Sequence, residues 1–221
     1  MENIKIKELF DLTHTQAKKY LENYTYPWEV LEDISNIIID IGNKLDKNEY
    51  ENISENVWIH KKAKVFKTAY INGPCIIGKN TEIRHCAFIR KNALIGENCV
   101  VGNSTELKNI ILFDNVQVPH YNYVGDSILG YKAHMGAGAI TSNVKSDKTN
   151  IVIKYKDHKI ETNMKKVGAM IADGVEVGCN SVLNPGTIIC KNTNIYPLSN
   201  VRGVIPKNCI YKQNEIVKKL Q

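Results

Sequence analysis

Every sixth residue from Ile59 to Leu107 is aliphatic: Ile59, Val65, Ile71, Ile77, Ile83, Ile89, Ile95, Val101 and Leu107. Two positions before each stands a small or compact partner: Val57, Ala63, Ala69, Cys75, Thr81, Ala87, Ala93, Cys99 and Thr105. The phase breaks once, around Asp114–His120, and the same step returns at Ile171, Val177, Leu183, Ile189, Ile195 and Val201. There the compact partners are Ala169, Val175, Ser181, Thr187, Thr193 and Ser199. This period fits neither the 3.6-residue repeat of a helix nor the two-residue alternation of a strand. Over so much chain it predicts an all-β solenoid.

Each six-residue unit would supply one short strand and one corner, with three units closing a triangular turn. Residues three units apart then stack. The large aliphatic of each unit fills the axis of the prism, where burial contributes roughly 1.5–3 kcal/mol per side chain. Gly-Lys-Asn, Gly-Glu-Asn and Asn-Pro-Gly segments supply tight corners. On this pattern the chain divides into an N-terminal helical segment over 1–50, a β-helix over 51–206 and a tail over 207–221. The stretch 142–166 loses the period and gains charge, which predicts either a disordered loop or an arm inserted between coils.

Before the solenoid, Thr13 and Gln16 have capping-box spacing and predict a short helix running toward Asn23. Pro27 opens a second helix, with Trp28, Leu31, Ile34, Ile38, Ile41 and Leu45 on one face. That face is expected to pack on the solenoid or across a subunit boundary, covering an edge that would otherwise invite aggregation. The polar tail is expected to form a terminal helix that caps the last coil.

Composition narrows the classes. At 221 residues and 43% hydrophobic, the chain can bury a sizeable core. It contains no apolar stretch long enough for a bilayer, and MENIKIKELF is too polar for a signal peptide, so a cytoplasmic location is expected without a membrane partner. Six cysteines show no CxxC pair, and Cys75 and Cys99 hold compact positions of the repeat, so they read as reduced packing residues. The net charge of +6 comes from dispersed lysines without an aromatic-basic interleave. It argues against a nucleic-acid partner and fits either solubility or affinity for phosphorylated, CoA-like anions.

Arg90 and Lys108 each follow an inward aliphatic residue, three units apart, so they are predicted to stack as a cation pair. The pair suits a phosphate, or it is two solvated side chains splayed apart. His120 follows Pro119 near the phase break, where an irregular corner could aim it outward, and it shares its stretch with Tyr123. Gly136-Ala137-Gly138 follows, a run that would let a thin ligand approach the backbone.

From Arg90 to Asn143 these residues fall in register, without a gap, with a known family. Gly102-Asn103, Glu106-Leu107-Lys108, His120, Tyr123, Gly125-Asp126, Gly136-Ala137-Gly138 and Ile140-Thr141 with Asn143 carry the match. The chain resembles the hexapeptide-repeat acyltransferases, and within them the C-terminal acetyltransferase domain of the bifunctional N-acetylglucosamine-1-phosphate uridyltransferase/glucosamine-1-phosphate acetyltransferases. Weaker matching runs through Val175–Pro185. The resemblance implies a left-handed parallel β-helix, a handedness the period alone does not give, since crossovers are normally right-handed.

It also implies an N-acetyltransferase that uses acetyl-CoA as co-substrate, acts on an aminosugar 1-phosphate toward UDP-N-acetylglucosamine, and needs no metal. His120 would be the general base. Arg90 and Lys108 would hold the sugar phosphate, Tyr123 and His134 would help hold the sugar, and Asn143, among the substrate-binding residues, would contact the sugar or the cofactor across a subunit boundary. Ala137, Cys179 and Pro197 would meet the cofactor, and the active sites would form between subunits of a homotrimer. Three positions depart from that family: His134 replaces an Asn, Val144 a Tyr and Cys179 a Ser. These changes bear on which sugar fits and on how the cofactor is held. Residues 1–50 have neither the length nor the Gly-rich loop of the family's nucleotidyltransferase domain, so no pyrophosphorylase activity is expected from this chain.

Two other classes use the same solenoid. A γ-type carbonic anhydrase would need a third histidine, and position 125, five residues after His120, is Gly. A silent scaffold that binds sugar nucleotides or docks on a nucleotidyltransferase would have no reason to combine Arg90, Lys108, His120, Tyr123 and Asn143.

Overall fold

Short parallel strands stack on three faces of a triangular coil, in the left-handed β-helix arrangement of hexapeptide repeats. The computed structural model describes residues 2–213 and 215–219. The first face begins with Val57–His60 and Cys75–Ile77 and ends with Thr187–Ile189 and Val204–Ile205. The second runs from Lys64–Val65 through Val100–Asn103, Gln117–His120 and His134–Met135 to Cys209–Lys212. The third starts at Tyr70–Ile71 and ends at Asn200–Val201. Three long strands, Phe88–Ile95, Glu106–Leu112 and Tyr123–Leu129, turn the corner from the third face to the first.

The inward aliphatics from Ile77 to Leu107 are 0% exposed. The first rung has no neighbour beneath it, and there Val65 is 37% exposed. The compact positions also carry polar duty: Thr81 Oγ1 donates to the Gly96 carbonyl at 2.8 Å and Thr105 Oγ1 to the Val118 carbonyl at 3.0 Å. They satisfy corner carbonyls that would otherwise be buried without a partner.

The register corrects the phase break. Ile89 pairs with Leu107, but a bulge at Arg90 makes Lys91, not Arg90, the partner of Lys108. Val124 then sits on Leu107 and Leu129 on Leu112. The inward series therefore loses one residue twice, at the corners Lys108-Asn109 and Gly125-Asp126, while the stretch Asp114–His120 stays regular. Asn109 and Asp126 take φ of 58° and 48° there, the left-handed conformation that lets a short polar side chain close a tight corner.

The helical segment lies along the first face. Outward residues of that face are apolar and covered: Ile76, Ile111, Ile128, Met170 and Ile188 are 0% exposed. The helix Ile34–Gly42 packs on the earlier rungs, Phe10 meets Phe113 at 5.3 Å between ring centroids, and the Asp173 N–H donates to the Leu9 carbonyl at 3.2 Å. The expected Thr13–Gln16 capping box does not form. Asp11 accepts from the Thr13 N–H at 3.0 Å and closes a 3-10 turn over Leu12–His14, while Gln16 donates to the Tyr50 hydroxyl at 2.8 Å. The α-helix that follows spans only Lys18–Leu21.

The stretch 142–166 is ordered as an arm. Val152–Tyr155 and His158–Glu161 form an antiparallel hairpin, with Ile151 and Ile153 buried against the solenoid. The tail is not the expected helix. Cys209–Lys212 completes the second face, its alternate residues Cys209 and Tyr211 turned inward, and Glu215–Lys218 pairs with it antiparallel. At the other end Tyr50–Ser54 pairs antiparallel with Val57–His60, so one face at each end of the coil carries an antiparallel strand. Among the described residues, no helix is long and apolar enough to cross a membrane.

Candidate functional site

One corner of the prism, between the second and third faces, gathers four of the predicted residues into a column. The Tyr121 N–H donates to the Asn103 carbonyl, Gly138 to His120, Asn180 to Ala137 and Leu198 to Cys179, at 2.9, 3.0, 2.8 and 2.9 Å. His120, Ala137, Cys179 and Pro197 therefore occupy equivalent places on successive rungs, one strand spacing of about 4.8 Å apart. His120 ends the regular strand Gln117–His120 rather than an irregular corner. Its side chain is exposed, and its ring forms no hydrogen bond among the described residues. The Ala137 N–H is likewise left without an acceptor among them.

Asn122 fixes this geometry and was not singled out from the sequence. Its side chain is buried, 2% exposed. Its Oδ1 accepts from the His120 N–H at 3.1 Å, and its Nδ2 donates to the Gly136 and Ala139 carbonyls at 2.8 and 3.0 Å. It thus clamps the His120 rung to the Ala137 rung. The available signal was its place two residues before the inward Val124, a compact position where a polar amide has to find partners. Gly136 also serves rung packing rather than ligand access: a Cβ there would stand 2.8 Å from the Cys179 nitrogen.

At the next corner, between the third and first faces, Asp126 is the hub of a second cluster. Lys108 Nζ lies 2.8 and 2.9 Å from its two oxygens, with the Asp126 side chain 4% exposed. Asn109 donates to Asp126 and to the Leu31 carbonyl, both at 3.0 Å, and Asn143 Nδ2 donates to Asp126 and to the Tyr123 hydroxyl. Burial, then the charges of Asp126 and Glu106, raise the Tyr123 pKa, so its hydroxyl stays protonated as a potential donor. Asp126 appeared in the sequence only as part of a matched motif. Lys108 stands a full three units away, whereas Asn109 and Asn143 reach Asp126 at 17 residues, one short of three units.

The predicted Arg90–Lys108 stack is absent. The bulge turns Arg90 aside, and its Nη1 pairs with Glu106 at 3.2 Å, while Lys108 is committed to Asp126. Each cation has its own carboxylate, which removes the repulsion that pointed to a phosphate between them. His134 stands apart from this cluster, on the second face, with its Nδ1 2.7 Å from Glu176. Among the described residues no group of three or more His, Cys, Asp or Glu side chains could hold a metal. His85 and His120 lie two rungs apart with Asn103 between them, and His85 Nδ1 is 2.9 Å from the Thr68 hydroxyl.

This geometry offers an exposed imidazole with a free backbone N–H one rung above it, and a polar pocket built on Asp126 at the far side of the third face. A family profile described as GMPPB C-terminal domain matches residues 71–163. The chain is 32% identical over 218 residues to a protein from Methanococcus maripaludis named bifunctional protein GlmU, covering 96% of this chain and 52% of that protein. A protein of the same name from Methanococcus aeolicus is 33% identical over 236 residues, covering 97% and 53%. The chain thus spans about half the length of these relatives. Among solved structures, AntD, an N-acyltransferase from Bacillus cereus in complex with dTDP-4-amino-4,6-dideoxyglucose and coenzyme A, is similar at 17% identity and a TM-score of 0.40, covering 81% of this chain and 90% of that one.

Proposed function

The chain is a hexapeptide-repeat solenoid resembling the acetyltransferase part of the bifunctional GlmU proteins, and from that premise we propose that it transfers the acetyl group of acetyl-CoA to the amino group of an aminosugar 1-phosphate. The observation that carries the reading is the exposed His120 ring directly beneath the Ala137 N–H, both without a partner among the described residues. The imidazole accepts a proton from the amino group as the amine nitrogen attacks the thioester carbonyl. The Ala137 N–H donates to the oxygen that becomes negative in the tetrahedral intermediate. Collapse breaks the C–S bond, and the proton held on His120 passes to the departing CoA thiolate. The products are CoA and an N-acetylated sugar phosphate, the form a nucleotidyltransferase can consume.

The cofactor would lie along the column Ala137, Cys179 and Pro197. Tyr123 and Lys108, held by Asn143 and Asp126, would meet the sugar phosphate, with Arg90 at its exposed edge. His134 lies on another face from that cluster, so a site using both draws them from neighbouring copies, as a homotrimer would. Tyr121, Tyr196 and Leu198 along the His120 corner are 66%, 45% and 78% exposed, apolar surface suited to being covered by such a copy or by the cofactor.

Cysteine labelling tests the cofactor edge. Burial pushes the Cys99 thiol up to about 12 and Cys190 up to about 11, and Cys75 is wholly buried. Only Cys86 and Cys179 are exposed, so native protein is expected to alkylate at these two. Saturating CoA is expected to slow the reaction of Cys179 by about tenfold or more while leaving Cys86 unchanged, read by peptide mass spectrometry. Equal rates at Cys179 with and without CoA would place the cofactor elsewhere.

A further inference from the structure

The arm and the rungs ending at Gly186 and Gly203 enclose a groove of about 670 Å³ at the corner between the third and first faces. This is a different corner from the one that carries His120. The groove has the volume of a small-molecule site. In the hairpin, Lys154 lies directly opposite Lys159, and Arg202 reaches in from the solenoid corner. All three are exposed, and none makes an ion pair or a side-chain hydrogen bond among the described residues.

Like charges directly opposed on an antiparallel pair repel, with Cβ atoms about 5 Å apart. The arrangement is stabilised when an anion bridges them. Lys145, also at the groove, is already occupied by the Asn150 carbonyl at 2.9 Å and by Asp147 at 4.0 Å. Glu161 is the carboxylate on the lining, beside Lys159 and opposite Val152. Three free cations against one carboxylate leave a local excess of two positive charges. Two ammonium groups side by side and a guanidinium fork match two linked phosphates better than one. Val152, Pro185 and Val204 give the same groove an apolar wall for the rest of such a ligand.

We propose that this groove binds the diphosphate of a nucleotide-like ligand, supplied either by coenzyme A or by a nucleoside-diphosphate sugar. The proposal goes beyond the acyl-transfer reading and does not depend on it.

Titration calorimetry of the full chain with inorganic pyrophosphate, coenzyme A and a UDP-linked sugar tests it. Wild-type protein is expected to bind pyrophosphate, and the K154A/K159A/R202Q variant to bind it at least about tenfold more weakly. Lys159→Glu alone, on an exposed strand, is expected to act in the same direction, so a folding defect in the triple variant does not decide the matter. Lys67→Ala, at an exposed lysine on the first rungs, is expected to leave pyrophosphate affinity within about twofold. Whichever of coenzyme A and the UDP-sugar weakens in parallel in the arm variants is the source of the diphosphate. Failure of pyrophosphate to bind wild type, unchanged affinity in the arm variants, or an equal loss in Lys67→Ala would each overturn the proposal.

Discussion

His120→Ala is expected to lower kcat by about 10²–10⁴ while leaving the fold intact. The ring is exposed and unpartnered among the described residues, so its removal opens no cavity and strands no buried group. Stability should stay within about 0.5 kcal/mol of wild type. The column above His120 is unchanged in the variant, so the acetyl-CoA affinity should persist, and the loss falls on the chemical step rather than on binding. Steady-state kinetics beside a urea unfolding curve separates the two quantities. A variant that keeps wild-type turnover would remove His120 from the mechanism, whatever its place on the corner.

Gly102→Ala is expected to have the opposite profile, a collapse of stability whose effect on activity is secondary. Gly102 lies in the strand Val100–Asn103, one rung below Pro119. A Cβ there would stand 1.5 Å from the Pro119 carbonyl oxygen and 2.0 Å from its carbon. Both obstacles are backbone, so no rotamer relieves the overlap and the rungs have to part just before His120. The expected cost exceeds about 4 kcal/mol, a range single substitutions seldom reach. For a chain of this size each kcal/mol moves Tm by about 2–4 °C, so thermal unfolding should begin roughly 8 °C or more lower, or the protein should not accumulate folded. A variant with wild-type Tm would show that the two rungs are not packed as described.

Much of the architecture was legible because the solenoid repeats its constraint at every rung. Inward Ile77, Ile83, Ile89 and Ile95 all face one axis, and no tertiary accident can displace a single member without breaking the series. A second row was equally present and went unread. Ile76, Leu94, Ile111, Ile128, Met170 and Ile188 are outward residues of one face, all apolar and all buried. An outward apolar row on one face marks a surface covered from outside, and it places the N-terminal segment that periodicity within that segment alone could not place.

The candidate site was legible in part for a related reason. His120, Ala137, Cys179 and Pro197 form a column because successive rungs superpose them, and that follows once the rung lengths are known. The Arg90–Lys108 pairing failed because a single bulged residue shifts the register, and a constant six-residue step cannot see a corner one residue short. The buried roles of Asn122 and Asp126 were hidden because their partners come from neighbouring rungs, and two of them, Ala139 for Asn122 and Asn143 for Asp126, stand 17 residues away rather than a full three units.

The measurement that tests the central claim most directly is chromatographic detection of free CoA and N-acetylated sugar, with wild-type protein given acetyl-CoA and, in turn, glucosamine 1-phosphate, galactosamine 1-phosphate and UDP-linked aminosugars. Chromatography avoids thiol dyes, which the exposed Cys86 and Cys179 would confuse. The account predicts CoA and acetylated product in equal amounts, with an aminosugar 1-phosphate as the preferred acceptor. A folded, oligomeric protein that releases CoA with none of these acceptors would contradict it.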